Sequence, residues 1–214
     1  VTPVLTDKYV ITATADDESA KKSAIVAFEK SSGKIAWKIP VENSVKNRME
    51  YWNGMLYAAD VEGKVYAADV SKGSLKWSRE LRRGAIHPSY NQGVVVYNDV
   101  VYAGQGDFLT AMRAKDGKAL WVNSSWRGGV TTVASPVIEP GTGVLLTSAY
   151  WTGRFAHSSE DGKLLWEKRD NDTRIADNSP VAFGGSFFYT SPNYITEVDP
   201  LSGEERVKKH ISYT

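Results

Sequence analysis

The sequence predicts an all-β protein, a β-propeller of four-stranded antiparallel blades, and three observations lead to this prediction. A motif of Ala, five residues, Gly, three residues and Trp occurs four times, and a fifth copy is degenerate. Its glycines stand 40, 44, 45 and 41 residues apart. No stretch shows apolar residues at a sustained 3.6-residue spacing, so helices are not expected. Four-stranded units at such intervals are typical of propellers, whose neighbouring blades bury each other's faces.

Each unit is predicted to hold four short strands, ordered from the axis to the rim. In the fourth unit they fall at 134–140, 143–149, 153–159 and 163–169, runs rich in Val, Leu, Phe and Thr. Residues of these types favour pleated, half-buried strands. The last turn of the unit ends at Gly162, which is expected to adopt a positive φ.

The recurring Trp is predicted to dock each blade onto its neighbour. It always stands four residues after the turn Gly, and therefore at one place on the outermost strand. The small Ala of the preceding strand leaves room for the indole. The predicted docking residues are Ala27, Gly33, Trp37, Ala67, Gly73, Trp77, Ala111, Gly117, Trp121, Ala156, Gly162 and Trp166, and the degenerate copy is Glu197, Gly203 and Val207.

The repeats predict one domain over residues 1–214. The blades are expected at about 2–45, 46–84, 85–130, 131–175 and 176–214. Two arrangements remain open at this point: a closed five-bladed ring, or an arc of a larger propeller.

Composition excludes several classes of function. The net charge of +1 gives no global attraction to nucleic acid. No apolar run is long enough for membrane insertion. Cysteine is absent, which removes disulfides and thiolate chemistry and is compatible with export. The first residues do not form a signal peptide and include no initiating Met, so a processed protein or a segment of a longer one is expected.

The repeats AADVSKGSLKW, AMRAKDGKALW and AHSSEDGKLLW, with Ser-Pro-Val at 135–137 and 179–181, resemble those of pyrroloquinoline-quinone-like propellers. The resemblance covers nearly the whole chain and implies that the Trp motif docks adjacent blades. Members of that family include quinone-dependent dehydrogenases, a lipoprotein of the outer-membrane assembly machinery, and propellers attached to metallophosphoesterases. The resemblance also implies a bacterial, extracytoplasmic location, in the periplasm or at the cell surface.

The sequence departs from the catalytic members of this family. It has no adjacent cysteines, and no calcium-ligating or catalytic residues can be assigned by matched position. Metallophosphoesterase signatures such as Asp-x-His are also absent. The chain alone is therefore predicted to be non-catalytic and without a cofactor, although quinone and calcium stay open. A full-length protein carrying a hydrolase domain is also left open.

With the four strands of each blade lettered A to D from the axis to the rim, the D–A and B–C loops share one face. Candidate binding residues fall on this face, since function usually lies in such loops. Arginine forks suit carboxylates and phosphates, and exposed aromatics suit protein interfaces. The alternative is that these arginines pair with acidic neighbours and only tie the loops together. The candidates are Arg48, His87, Tyr90, Trp126, Arg127, Trp151, Arg154, Arg174 and Asp177.

The favoured function is a binding and scaffolding module for a protein partner or a covalently attached catalytic domain. The alternatives are a non-catalytic part of a quinone-dependent dehydrogenase or metallophosphoesterase, and a propeller that binds carbohydrate, with a glycan as the ligand.

Overall fold

A computed structural model describes residues 2–14, 22–81, 93–106, 108–126, 135–149, 153–169, 179–191 and 193–211. These residues form five four-stranded sheets, each an antiparallel meander in which sequential strands pair. The all-β, four-stranded blade fold predicted from the repeats is confirmed. The boundaries between blades, which fall in connecting loops, remain predictions.

The strands follow one another from the inner to the outer edge of each blade. Blade 1 contains β1 (Val4–Leu5), β2 (Tyr9–Ala13), β3 (Ala24–Glu29) and β4 (Ile35–Pro40). Blade 2 contains β5 (Glu50–Trp52), β6 (Met55–Ala59), β7 (Lys64–Asp69) and β8 (Ser74–Glu80). Blade 3 contains β9 (Val94–Tyr97), β10 (Val100–Gln105), β11 (Phe108–Arg113) and β12 (Ala119–Asn123). Blade 4 contains β13 (Val137–Glu139), β14 (Val144–Ala149), β15 (Gly153–Ser158) and β16 (Leu164–Lys168). Blade 5 contains β17 (Val181–Phe183), β18 (Ser186–Ser191), β19 (Tyr194–Val198) and β20 (Glu205–His210).

Two-residue turns join the first two strands of several blades. Asn53 and Gly54 adopt φ values of 47° and 79°, and Asn98 and Asp99 adopt 48° and 58°. A turn with two successive positive φ angles has a twist that matches that of the two strands it joins. Asn, Asp and Gly tolerate positive φ angles best. The Asn-Gly and Asn-Asp dipeptides therefore set the tight turns on one end of the propeller.

The core lies between blades rather than within them, because each sheet has two faces to cover. In blade 2, Leu56 and Ala58 pack with Ile11 of blade 1. Tyr57, which lies on the opposite face of the same strand, packs with Val101 of blade 3. Side chains alternate across a strand, so one sheet contributes to two cores. This exchange of faces stabilises blades that could not bury both sides alone.

Each of the four docking indoles reaches the C–D turn of the next blade. In every case the indole N–H donates to the backbone carbonyl that lies three residues before the turn Gly. The donor–acceptor pairs are Trp37 and Val70 (3.0 Å), Trp77 and Ala114 (2.9 Å), Trp121 and Ser159 (3.1 Å), and Trp166 and Pro200 (2.7 Å).

The Ala and Gly of the motif make space for these rings. Ala67 lies directly opposite Trp77 in the register of β7 and β8, and the other three pairs repeat this arrangement. All four alanines are fully buried. A Cβ added at Gly117 would lie 2.7 Å from the Trp77 ring. The motif therefore combines an indole with two positions where larger side chains would block it.

Candidate functional site

The inner strands of the blades begin on the face that carries the D–A loops, and their first residues border an axial pocket of about 870 Å³. Residues from blades 1, 2, 4 and 5 contribute to its wall. Ligand pockets commonly measure about 300–1,000 Å³, so this opening is large enough for a small molecule or a peptide segment. Its polar and charged lining includes Thr2, Lys46, Asn47, Arg48, Glu50, Ser135 and Ser179.

Arg48 is the predicted candidate that the structure places in this pocket. Its guanidinium lies 2.8 Å from the Glu50 carboxylate, and about half of its side chain remains exposed. Burial raises the pKa of the Glu50 carboxyl above its usual value, while the charge and hydrogen bond of Arg48 oppose that rise. A guanidinium has five N–H groups, and the ion pair with Glu50 does not use all of them. Some N–H donors of Arg48 therefore face the mouth of the pocket.

Two serines that recur in the sequence hold the inner ends of blades 4 and 5 together. The backbone N–H of Ser135 donates to Ser179 Oγ at 2.8 Å. Both serines open a Ser-Pro-Val triplet and both line the axial pocket. The predicted site did not include them or Asn47, although the repetition of Ser-Pro-Val was a signal that could have identified the two serines.

Trp126 does not lie on an exposed rim, so its predicted exposure is wrong. Only 1% of its surface is accessible. Its indole N–H donates to Thr147 Oγ1 of blade 4 at 3.0 Å. The ring lies on Gly104, where an added Cβ would approach it to 2.0 Å. The indole is accommodated because β10 offers no side chain at that position, and it packs blade 3 against blade 4.

Arg154 was predicted as a binding residue of the loop-rich face, and the exposure expected of it there is also wrong. It is the second residue of β15 and is only 3% exposed. Its guanidinium carbon lies 3.5 Å from the centroid of the Tyr189 ring on blade 5. This contact is a cation–π interaction across the joint between blades 4 and 5. Its position is buried because successive residues of a strand face alternate blades, and Arg154 faces blade 5.

The remaining candidates, His87, Tyr90, Arg127, Trp151, Arg174 and Asp177, lie outside the described residues. The structure therefore places Arg48 at the axial pocket. It does not test whether all nine predicted residues form one binding site. His157, on β15 of blade 4, is also buried. Burial lowers the pKa of its imidazole to about 4.

A second pocket of about 410 Å³ lies on the opposite, turn-bearing face, between blades 1 and 2. The next two joints fill the corresponding place with aromatic side chains. Trp52 donates to the Asp99 carboxylate at 2.8 Å, and the Tyr97 hydroxyl donates to the Pro140 carbonyl at 2.8 Å. Blade 1 carries Thr6 at this register, so the space stays open. Its wall includes Thr6, Asp7, Tyr9, Tyr51, Asn53, Asp69 and Ser71.

The pyrroloquinoline-quinone-like resemblance implies quinone and calcium, and the axial pocket provides a chemical test of this implication. Calcium takes six to eight oxygen ligands, commonly including several carboxylates. Among the described residues of the wall, Glu50 supplies one carboxylate, and that carboxylate is paired with Arg48. The described part of the pocket therefore does not fit a calcium site. No three His, Asp or Glu side chains in the described ranges form a group suited to a metal ion.

The sheets and their joints define five blades of a β-propeller, with a polar pocket at the inner ends of four of them. The family model PQQ_2, described as outer membrane protein assembly factor BamB, matches residues 1–209, and the chain belongs to this family. No helix in the described segments is both long and apolar enough to cross a membrane.

Three similar proteins illustrate the range of the family. Tetrathionate hydrolase of Acidithiobacillus ferrooxidans is 24% identical over 207 residues, which are 85% of this chain and 40% of that protein. Outer membrane protein assembly factor BamB of Burkholderia pseudomallei is 26% identical over 164 residues, 72% of this chain and 42% of that one. The structure of quinohemoprotein alcohol dehydrogenase ADHIIG from Pseudomonas putida is 18% identical with a TM-score of 0.72, and the match covers 99% of this chain and 42% of that one.

The structural likeness to the dehydrogenase concerns the fold. The chain spans about two fifths of the length of the hydrolase and of the Burkholderia assembly factor. None of the six matching curated relatives is a metallophosphoesterase, so nothing in the comparisons supports the suggested attachment to such an enzyme.

Proposed function

We propose that this chain is a non-catalytic binding and scaffolding propeller that presents its loop-rich face to a protein partner or an attached enzyme domain. The observation that carries this proposal is the axial pocket. It opens on the loop-bearing face, and several blades contribute to its wall. A rigid scaffold that positions loops and strand ends around a concave opening is a common design for recognition.

The chemistry of the pocket favours an acidic peptide segment. Arg48 presents a half-exposed guanidinium at the mouth, and a second cationic residue, Lys46, shares the wall. Guanidinium groups bind carboxylates through paired hydrogen bonds. Asn47, Ser135 and Ser179 add polar groups of the kind that can contact a peptide backbone. We therefore expect Asp or Glu side chains of the partner to lie close to Arg48.

The relatives support a scaffolding role outside the cytoplasm. Several of them are outer membrane protein assembly factors, and their name describes work on other proteins at that membrane. We propose an extracytoplasmic location in a bacterium, in the periplasm or at the cell surface. The absence of cysteine from the sequence is compatible with such a compartment, since the fold needs no disulfide.

Photo-crosslinking from the pocket tests this proposal. A photoreactive residue at Thr2, which is exposed in the wall, is expected to capture a partner in extracts of the source cells. The same residue at the exposed Lys118, beside the C–D turn of blade 3, is the matched control. Arg48→Glu should abolish capture from position 2, whereas Lys118→Glu should preserve it. Equal capture from both positions, or capture that is insensitive to Arg48→Glu, would contradict the proposal.

The pocket on the turn-bearing face favours carbohydrate binding as a second candidate function. Its place is filled by an aromatic side chain at the next two joints, so it has room for a single ring of similar size, such as a pyranose. Tyr9 and Tyr51 provide apolar surface, and Asp7 and Asn53 provide hydrogen-bonding groups. Calorimetric titration with monosaccharides tests this function, and we expect heat of binding that disappears in Thr6→Trp, which fills the space. No binding by the unmodified chain would refute it.

A further inference from the structure

Arg48 and Glu50 are held side by side in the wall of the axial pocket by a buried residue between them. Met49 is only 2% exposed and packs in the joint between blades 1 and 2. Arg48 and Glu50 flank it, and their charged ends meet at 2.8 Å. Glu50 is also the first residue of β5, where it pairs with Tyr57 of β6. The core and the sheet therefore fix where this ion pair forms.

The start of blade 3 holds the backbone of Arg48 from the other side. The Val94 N–H donates to the Arg48 carbonyl at 3.3 Å. Gly93 has a φ of 82°, and a Cβ added there would lie 2.7 Å from the same carbonyl. The chain at Arg48 is thus enclosed by packed neighbours. A ligand that enters the pocket meets a fixed backbone, and the side chains of Arg48 and Glu50 are what it can rearrange.

The two partners of this ion pair are unequally exposed. The side chain of Arg48 is 46% exposed, whereas that of Glu50 is 21% exposed. Burial raises the pKa of the Glu50 carboxyl more than Arg48 lowers it. The carboxylate therefore depends on the guanidinium to compensate for its lost hydration. In doing so it takes up part of the donor fork that an acidic ligand would use.

The charges of the pocket wall also limit how many carboxylates it accepts. Among the described residues of the wall, Lys46 and Arg48 are the cationic groups and Glu50 is the acidic group. A ligand carboxylate bound to Arg48 comes close to Glu50, and like charges at short distance repel each other strongly when they are partly buried. Each further carboxylate of the ligand adds to this repulsion. The wall consequently disfavours a continuous run of acidic residues.

We propose that Glu50 sets the specificity of the axial pocket by competing with ligand carboxylates for Arg48, an inference that rests on the acidic peptide segment proposed above. A bound segment shares the guanidinium with Glu50. Glu50 therefore lowers the affinity for every acidic segment, and it lowers it most for segments with several adjacent Asp or Glu residues. The preferred partner carries an isolated Asp or Glu among neutral residues.

An NMR titration that follows the side-chain Nε–H of Arg48 tests this role, because it reports binding at that residue. The probes are the acetylated and amidated peptides Gly-Gly-Glu-Gly-Gly, Gly-Glu-Glu-Glu-Gly and Gly-Gln-Gln-Gln-Gly. Glu50→Gln keeps the shape of the side chain and removes its charge. We expect it to lower the Kd of the three-Glu peptide at least ~10-fold and that of the one-Glu peptide by a smaller factor. The response to the Gln peptide should stay unchanged.

Two further variants separate the role of Glu50 from general effects. Glu204→Gln removes the same charge at an exposed position beside the C–D turn of blade 5, and it should leave every Kd unchanged. Glu50→Ala removes the carboxylate by a different substitution and should reproduce the gain in affinity. Backbone amide shifts far from the pocket verify that each variant keeps the fold.

The outcomes distinguish this inference from the proposed function. If the unmodified chain binds the acidic peptides and neither Glu50 variant binds them more tightly, the competition is overturned while the acidic ligand stands. An equal gain for the one-Glu and three-Glu peptides would overturn the selection against acidic runs. Tighter binding of the Gln peptide would also overturn the inference, because the pocket would have changed in shape rather than in charge. Absence of binding in the unmodified chain and in both variants contradicts the proposed acidic ligand itself.

Discussion

Replacing Trp77 with Ala removes the most deeply buried of the four docking indoles. The ring is 7% exposed, donates to the Ala114 carbonyl at 2.9 Å, and has its centroid 6.0 Å from that of Tyr57. The Tyr57 hydroxyl also donates to that carbonyl, at 3.3 Å, so the acceptor keeps one partner after the substitution. Lost burial and the cavity between blades 2 and 3 therefore dominate the cost.

The size of this effect follows from the buried area. A Trp side chain buries about 200 Å², and ~25 cal/mol per Å² gives an upper estimate of about 5 kcal/mol. Large-to-small substitutions of buried aromatic residues cost about 3–5 kcal/mol, and we expect Trp77→Ala to fall in this range. Trp121 is only half-buried, so Trp121→Ala should cost less than Trp77→Ala.

Urea unfolding followed by circular dichroism measures the free energy of unfolding for each variant. Leu75→Ala is the matched control, because Leu75 lies two residues earlier on the same strand and is exposed. Substitutions at such surface positions usually change stability by less than about 0.5 kcal/mol. A cost below about 1 kcal/mol for Trp77→Ala would show that the ring does not hold blades 2 and 3 together.

Four further substitutions test buried contacts of blades 3 and 4. Trp126→Ala should destabilise the chain by about 3–5 kcal/mol in urea unfolding, and Gly104→Ala by about 1–3 kcal/mol, because an added methyl group overlaps the Trp126 ring. His157 has its folded pKa lowered to about 4, so the unfolded chain binds more protons between about pH 6.5 and 4. Stability should therefore fall as the pH decreases through this window, and a His157→Leu variant should lack this part of the pH dependence in unfolding measurements. Arg154→Met removes the cation–π contact with Tyr189 and should lower the thermal midpoint in calorimetry, whereas an unchanged midpoint would show that the contact contributes no stability.

The repeat predicted the fold because every unit carries its docking Trp and its turn Gly at one fixed spacing, although the Trp of one unit packs on the Gly of the next. Ala, Gly and Trp of one unit lie within eleven residues, and the same three places recur in four units. The positive φ of Gly162 was likewise predicted, since few residues fit the turn that it ends. Such features depend on backbone geometry and can be recognised without knowledge of the neighbouring blade.

The candidate site was predicted less well because exposure depends on contacts between distant residues. Trp126 follows a strand as an exposed loop residue would, yet Gly104 and Thr147 together provide a buried place for its ring. Arg154 has no sequence feature that reveals its position over Tyr189, which lies on the next blade. Arg48 was predicted on the correct face because it precedes an inner strand, and the order of strands fixes where such residues lie.

Hydrogen exchange of the indole N–H groups, measured residue by residue by NMR, tests the central claim about blade docking. The indoles of Trp37, Trp77, Trp121 and Trp166 each donate to a carbonyl of the following blade. We expect all four to exchange far more slowly than the indole of free tryptophan under the same conditions. Exchange of these four protons at the rate of free tryptophan would contradict the account, because the blades would then be joined by some other contact.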